Sequence, residues 1–399
     1  MRIKATLSNT RHPEYGEVTI PLPIKTSEYD RTMEMLANLE IGDVMGRDCK
    51  IMELSSPYSI LQKLEGSEVN IDELDYLAKR LESFEADQDL QFQAAAFARG
   101  VASMEDFINL TFCSDQATVI YDFTKLEEAG RQHFMNLHGG CASTEELENL
   151  DGYETALLLI DGGGAEITPY GVLYDNGMQM EPLYKGGPFP PYLYDAYELV
   201  LPITPTQAPK NKTYLYLPSS NLQLERTLLR GGIMEREGWF HKLEPIQLSS
   251  VITAKLDTRR DSIRELNEMC RSIHQLSHVD RSKLDAAVEY AQAKTASQIR
   301  KVAEHLDQFD FAPGVHTPEE YGRYMIRDSG HFDYDSNLDE FYDFGKYGHQ
   351  HLEQSQGMFT EQGYISYQGI LSLEALMKEP PTEQVQNQQE EDLEMGELT

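Results

Sequence analysis

The chain has 399 residues, 40% of them hydrophobic, enough to bury several small cores, so disorder throughout is excluded and two to four domains are expected. Its 34 basic and 67 acidic residues give a formal charge of -33, which repels nucleic acid and anionic lipid and attracts cationic surfaces. No run of 18 apolar residues occurs and the start, Met1-Arg2-Ile3-Lys4-Ala5-Thr6-Leu7, reads as a strand rather than a signal peptide, so a soluble, cytoplasmic protein is expected.

In chain order, Ile3 to Leu7 and Val18 to Leu22 predict two strands joined by a polar turn with Pro13 and Gly16. A short helix follows at Tyr29 to Leu39, with Met33, Leu36 and Leu39 at helical spacing. Together these form a small α/β domain over 1–56. A helical bundle is expected over 57–116. Asn70-Ile-Asp-Glu73 starts a helix with Ile71, Leu74, Leu77, Ala78 and Leu81 on one face. Leu90 to Ala98 forms a second helix, ended by Gly100, and Ser103-Met-Glu-Asp106 caps a third.

A second α/β domain is expected over 117–200. Thr118 to Tyr121 is strand-like, Thr124 and Ser143 cap helices, and the apolar runs 157–160 and 167–174 form a hairpin around Gly162-Gly163-Gly164. Residues 201–212, with three prolines and no glycine, suit a semi-extended linker. The tail 379–399 has seven acidic residues and no basic one, and is expected to be disordered.

The plan then repeats. Shifting the chain by 192 places lays Glu127-Glu128-x-Gly130-Arg131 on Glu319-Glu320-x-Gly322-Arg323, Thr168-x-x-Gly171 on Thr360-x-x-Gly363, Asp151 on Asp343 and Glu148 on Glu340. Earlier echoes are Leu22-Pro23 with Leu217-Pro218, Asp30-Arg31-Thr32 with Glu225-Arg226-Thr227, Leu54-Ser55-Ser56 with Leu248-Ser249-Ser250, and Ile71-x-Glu73-Leu74 with Ile263-x-Glu265-Leu266. A repeat this long implies two copies of one multi-part module. The second copy is expected to run through an α/β part (213–250), a helical part (251–308) and an α/β domain (309–378). The fold class expected is α+β.

Little in the chain suggests catalysis or metal binding. His138-Gly139-Gly140-Cys141 lacks a third orienting group. His349-x-His351 has no carboxylate or thiol placed to complete a site. Asp333-x-Asp335-x-Asn337 resembles the start of a calcium loop, but position 338 is Leu and the twelfth position is Phe344. The triple glycine precedes a strand, not a helix, so it is no phosphate cradle. Cys49, Cys113, Cys141 and Cys270 form no CxxC pair, and reduced, mostly buried thiols are expected. No catalytic residue, metal or cofactor is assigned.

The acidic residues remain. Residues 1–50, 51–200, 201–300 and 301–399 carry net charges of -1, -20, +4 and -16, so two acidic blocks flank a mildly basic one. The candidate surface comprises Glu73, Asp75, Glu82, Glu85, Asp87, Asp89, Glu105, Asp106, Asp115, Asp122, Glu127, Glu128, Glu145, Glu146, Glu148 and Asp151 in the first copy. In the second it comprises Glu319, Glu320, Asp333, Asp335, Asp339, Glu340 and Asp343. Many sit in first turns of helices, where the dipole alone favours them. Carboxylates strung along rigid helices can also present to a DNA-binding cleft the charge that phosphates would, without an ordering cost on binding.

Ser103-Met-Glu-Asp-Phe-Ile-Asn-Leu-Thr-Phe, Tyr121-Asp-Phe-Thr-Lys-Leu-Glu-Glu-Ala-Gly-Arg131, Glu319-Glu-Tyr-Gly-Arg-Tyr-Met-Ile, Phe341-Tyr-Asp-Phe-Gly-Lys-Tyr-Gly348 and Gly363-Tyr-Ile365 together resemble the antirestriction protein ArdA family. The resemblance covers about 1–200 and again 213–375. It implies a DNA mimic of a conjugative plasmid or transposon that occupies the DNA groove of the methyltransferase core of a type I restriction-modification enzyme. It also implies an elongated acidic rod dimerising through its last domain. A typical member is about one copy long, whereas this chain holds two. Its 201–300 region, with Arg226, Arg230, Arg236, Lys255, Arg259, Arg260 and Arg264, breaks any continuous acidic track. Either a homodimer or a pseudo-dimer within one chain is compatible with the duplication; the alternative to the pseudo-dimer is that the basic part docks on an acidic surface of this or another copy. The rival reading is a nucleic-acid-binding accessory or regulatory protein of a mobile element that uses 201–300.

Overall fold

A computed structural model describes residues 3–191, 197–205, 212–233, 238–240 and 242–378. The chain divides into two units, one of Met1–Tyr194, Ile203–Tyr214 and Ser220–Trp239, the other of Asp195–Pro202, Leu215–Ser219 and Phe240–Thr399. Both mix helix and sheet, in line with the α+β expectation.

In the first unit, β1 (Ile3–Asn9) and β2 (Glu17–Leu22) pair antiparallel, Ile3 opposite Leu22 and Leu7 opposite Val18. Helix α1 (Tyr29–Ala37) buries Tyr29, Met33 and Leu36. Strands β3 (Cys49–Ser55) and β4 (Glu68–Val69) complete a sheet of order β2-β1-β3-β4. Helix α2 (Ile71–Glu82) is capped by Asn70, whose side chain accepts from the amides of Asp72 and Glu73. Helix α3 (Ala86–Ala98) starts four residues before the expected Leu90, because the Glu85 amide donates to Gln88 Oε1 at 2.9 Å and closes the earlier turn. Helix α4 (Met104–Leu110) begins at the expected Ser103 cap. Leu74, Leu77, Leu81, Phe92 and Phe107 join the inner face of the sheet in one core.

The rest of this unit is β5 (Ala117–Ile120), α5 (Leu126–Leu137), α6 (Thr144–Glu148), α7 (Gly152–Asp161), β6 (Ala165–Thr168) and β7 (Gly171–Asp175), with sheet order β5-β7-β6. Two expectations are corrected here. The run 157–160 is helical, because Asp151 caps α7 by accepting from the Glu154 amide, and the triple glycine follows the helix end rather than joining two strands. The run 167–174 contains its own turn. Thr168 Oγ1 donates to the Gly171 carbonyl at 2.8 Å, and Gly171 takes a φ of 130°, a value L side chains avoid. Nor does Thr124 cap α5; its amide and hydroxyl both bond Asp122 instead.

Strands β8 (Leu199–Pro205) and β9 (Thr213–Leu217) follow, then α8 (Asn221–Arg230), β10 (Gly238–Phe240) and β11 (Glu244–Pro245); β8 pairs with β9, β10 and β11. The expected linker is therefore strand as far as Pro205, because Leu199, Leu201 and Ile203 are buried and that burial outweighs the prolines. Residues 206–211 of that linker, Arg236 and the tail 379–399 lie outside the described residues. Helix α8 belongs to the first unit.

The second unit continues with α9 (Ser250–Thr253), α10 (Ile263–His274), α11 (His278–Tyr290), α12 (Ala296–Glu304), β12 (Phe309–Pro313), α13 (Pro318–Arg323), α14 (Phe344–Ser355), β13 (Met358–Phe359), β14 (Gly363–Tyr367) and α15 (Leu373–Met377). Its last sheet runs β12-β14-β13, the same order as β5-β7-β6. Thr360 Oγ1 donates to the Gly363 carbonyl at 2.9 Å, and Gly363 has a φ of 144°. Glu198, fully buried, receives both terminal nitrogens of Arg281 at 2.8 and 2.7 Å and lies 2.9 Å from His274 Nδ1. Burial alone would raise its pKa, but Arg281 and His274 outweigh burial and hold it below the usual carboxylate value.

Cys49, Cys113 and Cys270 are buried and Cys141 exposed. No helix among the described residues is long and apolar enough to cross a membrane.

Candidate acidic interaction surface

Most of the predicted carboxylates reach solvent. In the first unit Glu82, Glu85, Asp87, Asp115, Glu127, Glu128, Glu145, Glu146, Glu148 and Asp151 are exposed, and Asp89, Glu105, Asp106 and Asp122 are half-buried. In the second, Glu319, Glu320, Asp333, Asp335, Glu340 and Asp343 are exposed and Asp339 is half-buried.

Glu73 and Asp75 are corrections, since both are buried and belong to no exposed surface. Asp75 Oδ1 accepts the Ile24 amide at 2.6 Å and Oδ2 pairs with Lys79 at 2.8 Å, which ties α2 to the end of β2. The matching residue 192 places on, Asn267, accepts the Ser219 amide at 2.9 Å, so an uncharged side chain does the same work there. Glu73 accepts from Tyr184 Oη at 2.7 Å and from Arg230 at 3.2 Å. Helical periodicity places both acids beside the apolar stripe of α2, and only the partners distant in sequence show that they turn inward.

The exposed acids are held by local bonds. Glu127 takes Arg131 Nε at 2.8 Å and the Tyr153 amide at 2.8 Å, and Glu319 pairs with Arg323 at 3.2 Å. Glu146 and Glu320 close capping boxes with Ser143 and Thr317. Asp151 and Asp343 cap α7 and α14. Amide hydrogen bonds, from Ser143 to Glu146 and chiefly from His316 to Glu320, hold both pKa values below the ordinary one. Thr124 does the same to Asp122, through its hydroxyl first and its amide second. Such groups are charged and fixed in direction at neutral pH.

The basic region contributes inward-facing arginines. Arg226 binds Asp72 through Nε at 3.2 Å and Nη2 at 2.8 Å and donates to the Gly42 carbonyl at 2.6 Å. Arg230 donates to Val44, Asn70, Glu73, Tyr184 and Gly187 and lies 4.4 Å from the Phe189 ring centroid. All of these residues belong to the first unit. Arg259 and Arg264 are exposed, while Lys255 is half-buried and Arg260 pairs with Asp261 at 3.1 Å.

Of the other motifs, His138 faces the Phe134 carbonyl at 2.8 Å. His349 and His351 lie on α14, not on a strand, and at a spacing of two on a helix they point apart; the His351 ring lies tilted against that of Tyr347, with centroids 4.3 Å apart. Asp339 pairs with Arg327 at 2.8 Å. Among the described residues no group of three His, Cys, Asp or Glu side chains could hold a metal ion. One feature had no sequence signal at all: Gln91, on α3, is 2% exposed, and its carbonyl oxygen has no hydrogen-bond partner.

These features define an acidic α+β protein whose surface chemistry is that of carboxylates fixed by caps and short ion pairs. Residues 213–366 match the family model described as antirestriction protein (ArdA). No curated protein matches the chain.

Proposed function

We propose that the chain is two tandem copies of one module and acts, without catalysing a reaction, as an antirestriction protein that mimics DNA in the groove of a type I restriction-modification enzyme. The observation that carries this reading is the pre-positioning of carboxylates at matching places of the two α/β parts: Glu127 with Glu319 on their arginines, and Asp151 with Asp343 as caps. The match of 213–366 to the ArdA family model supports the antirestriction role. The shared strand order and the shared Thr-x-x-Gly turn support the duplication. Fixed charges suit a mimic, because the ordering cost falls on folding rather than on binding. The burial of Arg226 and Arg230 against Asp72 and Glu73 counts against a nucleic-acid-binding role for 201–300.

Competition tests the reading. Excess protein is expected to displace DNA from a type I methyltransferase core, and the displacement to weaken as salt rises. Asp122 and Glu127 also hold local structure, so the sharper variant replaces Asp115, Glu145, Glu148 and Glu154, all exposed, with lysine. Inhibition is expected to fall by about tenfold or more and its salt dependence to flatten, with the unfolding midpoint little changed, as for surface substitutions generally. Failure of the wild-type protein to displace DNA at any salt concentration overturns the reading for that target. Retardation of DNA by the protein itself at moderate salt supports the rival one.

A further inference from the structure

Asn109, on α4, donates to the Tyr184 carbonyl at 3.0 Å and accepts the Tyr184 amide at 2.7 Å. The chain that leaves β7 is thereby led over α4 and on to α2. There Tyr184 Oη donates to Glu73, Tyr76 Oη donates to the Pro190 carbonyl at 2.6 Å, and Phe189 stacks on Tyr76 with centroids 4.3 Å apart. The second unit repeats the first step of this route. Lys301, 192 places after Asn109, stands on α12 and donates to the Lys378 carbonyl, and Leu376, 192 places after Tyr184, is buried. The counterpart of α2 in that unit is α10, and Asp261, just before it, accepts the Ala296 amide at the start of α12 at 3.0 Å.

The charges around that helix start are reversed between the two units. Where the first has Glu68 and Asp72, the positions 192 later hold Arg260 and Arg264. In the first unit the acid is met by a cation, Arg226, which binds Asp72 at 2.8 Å. In the second, residues 255–264 set four cations, Lys255, Arg259, Arg260 and Arg264, against two carboxylates, Asp257 and Asp261. Both carboxylates close the loop itself. Asp261 is 2% exposed and accepts from the amides of Asp257 and Ala296 and from Arg260, while Asp257 accepts the Arg259 amide at 2.9 Å. The exposed side chains of Arg259 and Arg264 have no ion-pair or hydrogen-bond partner among the described residues.

An anion of the right reach is at hand. Residues 379–399 carry seven acids and no base, and five of the acids fall between Glu390 and Glu397. Twelve residues lead from Lys378 to Glu390 and can span up to about 40 Å. Lys301, which holds Lys378, is five residues from Ala296 on α12, about 7.5 Å along the helix axis. Because the tail is covalently attached, docking is intramolecular, and pairs too weak to hold a separate peptide suffice.

We propose that the acidic tail, residues 379–399, docks within its own unit on the loop 255–261 and the first turn of α10, with Arg259 and Arg264 as its main contacts, and withholds this cationic face from other anions. The proposal rests on the duplication in the reading above and not on DNA mimicry. The shared strand order and the shared Thr-x-x-Gly turn stand whether or not the tail docks.

A nitroxide on Gln389→Cys reads the position of the tail in the full-length, isotope-labelled protein, with the exposed Cys141 replaced by serine. The amides of Arg259, Ser262 and Arg264 are expected to lose intensity at low salt and to regain it as salt rises. Glu390→Gln, Glu391→Gln, Asp392→Asn and Glu394→Gln together are expected to restore the intensities without touching the described fold. Arg259→Glu with Arg264→Glu is expected to restore them too, and adding Glu390→Lys, Glu391→Lys and Asp392→Lys to bring the loss back. Full intensities at low salt in the parent protein overturn the docking, and so does a loss that survives in the neutralised tail. A sample mixing nitroxide-bearing protein without isotope and isotope-labelled protein without nitroxide is expected to show no loss. An equal loss there would place the tail on a second copy and overturn the intramolecular contact. Recovery of the intensities on adding an equimolar DNA duplex would assign the face to nucleic acid and overturn the proposal as well.

Discussion

Arg230 donates from all three side-chain nitrogens inside the first unit, to the backbone carbonyls of Val44 and Gly187 and to the side chains of Asn70, Glu73 and Tyr184. Its side chain is 2% exposed and that of Glu73 is 4% exposed, so neither charge can be relieved by water if the other is lost. Breaking a buried pair costs about 3–5 kcal/mol, whereas replacing both members by groups of similar shape costs far less. Arg230→Met is therefore expected to lower the stability of the first unit by about that amount in urea unfolding, and adding Glu73→Gln to restore a substantial part of it. A double variant that loses as much as the two single variants added together would show that the pair is not coupled. The charge count of 201–300 was legible in the sequence, and docking of this part on an acidic surface, of this copy or another, was one of two readings that it allowed. Which acids would receive it was not legible. Glu73 reads as a helix-start carboxylate, and its partners Tyr184 and Arg230 lie more than 100 residues away, beyond the reach of any local pattern.

Helices α5 and α7 cross where Gly130 faces Gly152, and α13 and α14 cross where Gly322 faces Gly348. A Cβ on Gly130 would lie 1.8 Å from the Gly152 carbonyl oxygen, and one on Gly348 1.8 Å from that of Pro318. The obstacle is backbone, so no side-chain rotation relieves it. Helix propensity favours alanine over glycine by about 1 kcal/mol, while forced overpacking costs about 1–3 kcal/mol, and the two effects oppose each other. Gly130→Ala and Gly322→Ala are expected to destabilise their units by a net amount of up to about 2 kcal/mol on those scales. Gly345→Ala, whose added carbon meets only Asp343 Oδ1 at 3.5 Å, is expected to stabilise by a few tenths to about 1 kcal/mol. Denaturant midpoints decide, and a stabilising Gly130→Ala would mean that the crossing is looser than it stands. The offset of 192 brought Gly130 onto Gly322, Asp151 onto Asp343 and Gly171 onto Gly363, and each pair has the same local role. What misled was the apolar run 157–160. Four apolar residues in succession suit a strand or a helix equally, and the Asp151-x-x-Glu154 cap that decides the matter lies six residues before the run. Leu157 and Leu158 are also exposed, so the run does not report a buried strand.

At the scale of the whole molecule, the break in sequence and the break in packing fall at different places. Pattern and repeat put the end of the first copy at 200 and a linker at 201–212, yet α8, which follows that linker, belongs to the first unit. The cause is electrostatic and apolar together. Arg226 and Arg230 neutralise Asp72 and Glu73, Arg230 covers Phe189, and Leu222 packs against the core of that unit. A fragment ending at 212 keeps the whole first copy as the sequence marks it, but leaves Asp72 without its cation and Glu73 with Arg47 alone, 3.9 Å away. A fragment ending at 239 retains both arginines. Loss of a buried partner costs about 3–5 kcal/mol, a large share of the 5–15 kcal/mol that holds a typical domain. Fragment 1–212 is thus expected to unfold at clearly lower urea than 1–239, followed by far-UV circular dichroism, or to be unfolded outright. A synthetic peptide spanning 213–239 is expected to bring its midpoint back toward that of 1–239, and Arg226→Gln with Arg230→Gln in the peptide to remove the rescue. Identical midpoints for the two fragments would return the boundary to the linker and make the α8 arginines incidental to the first unit.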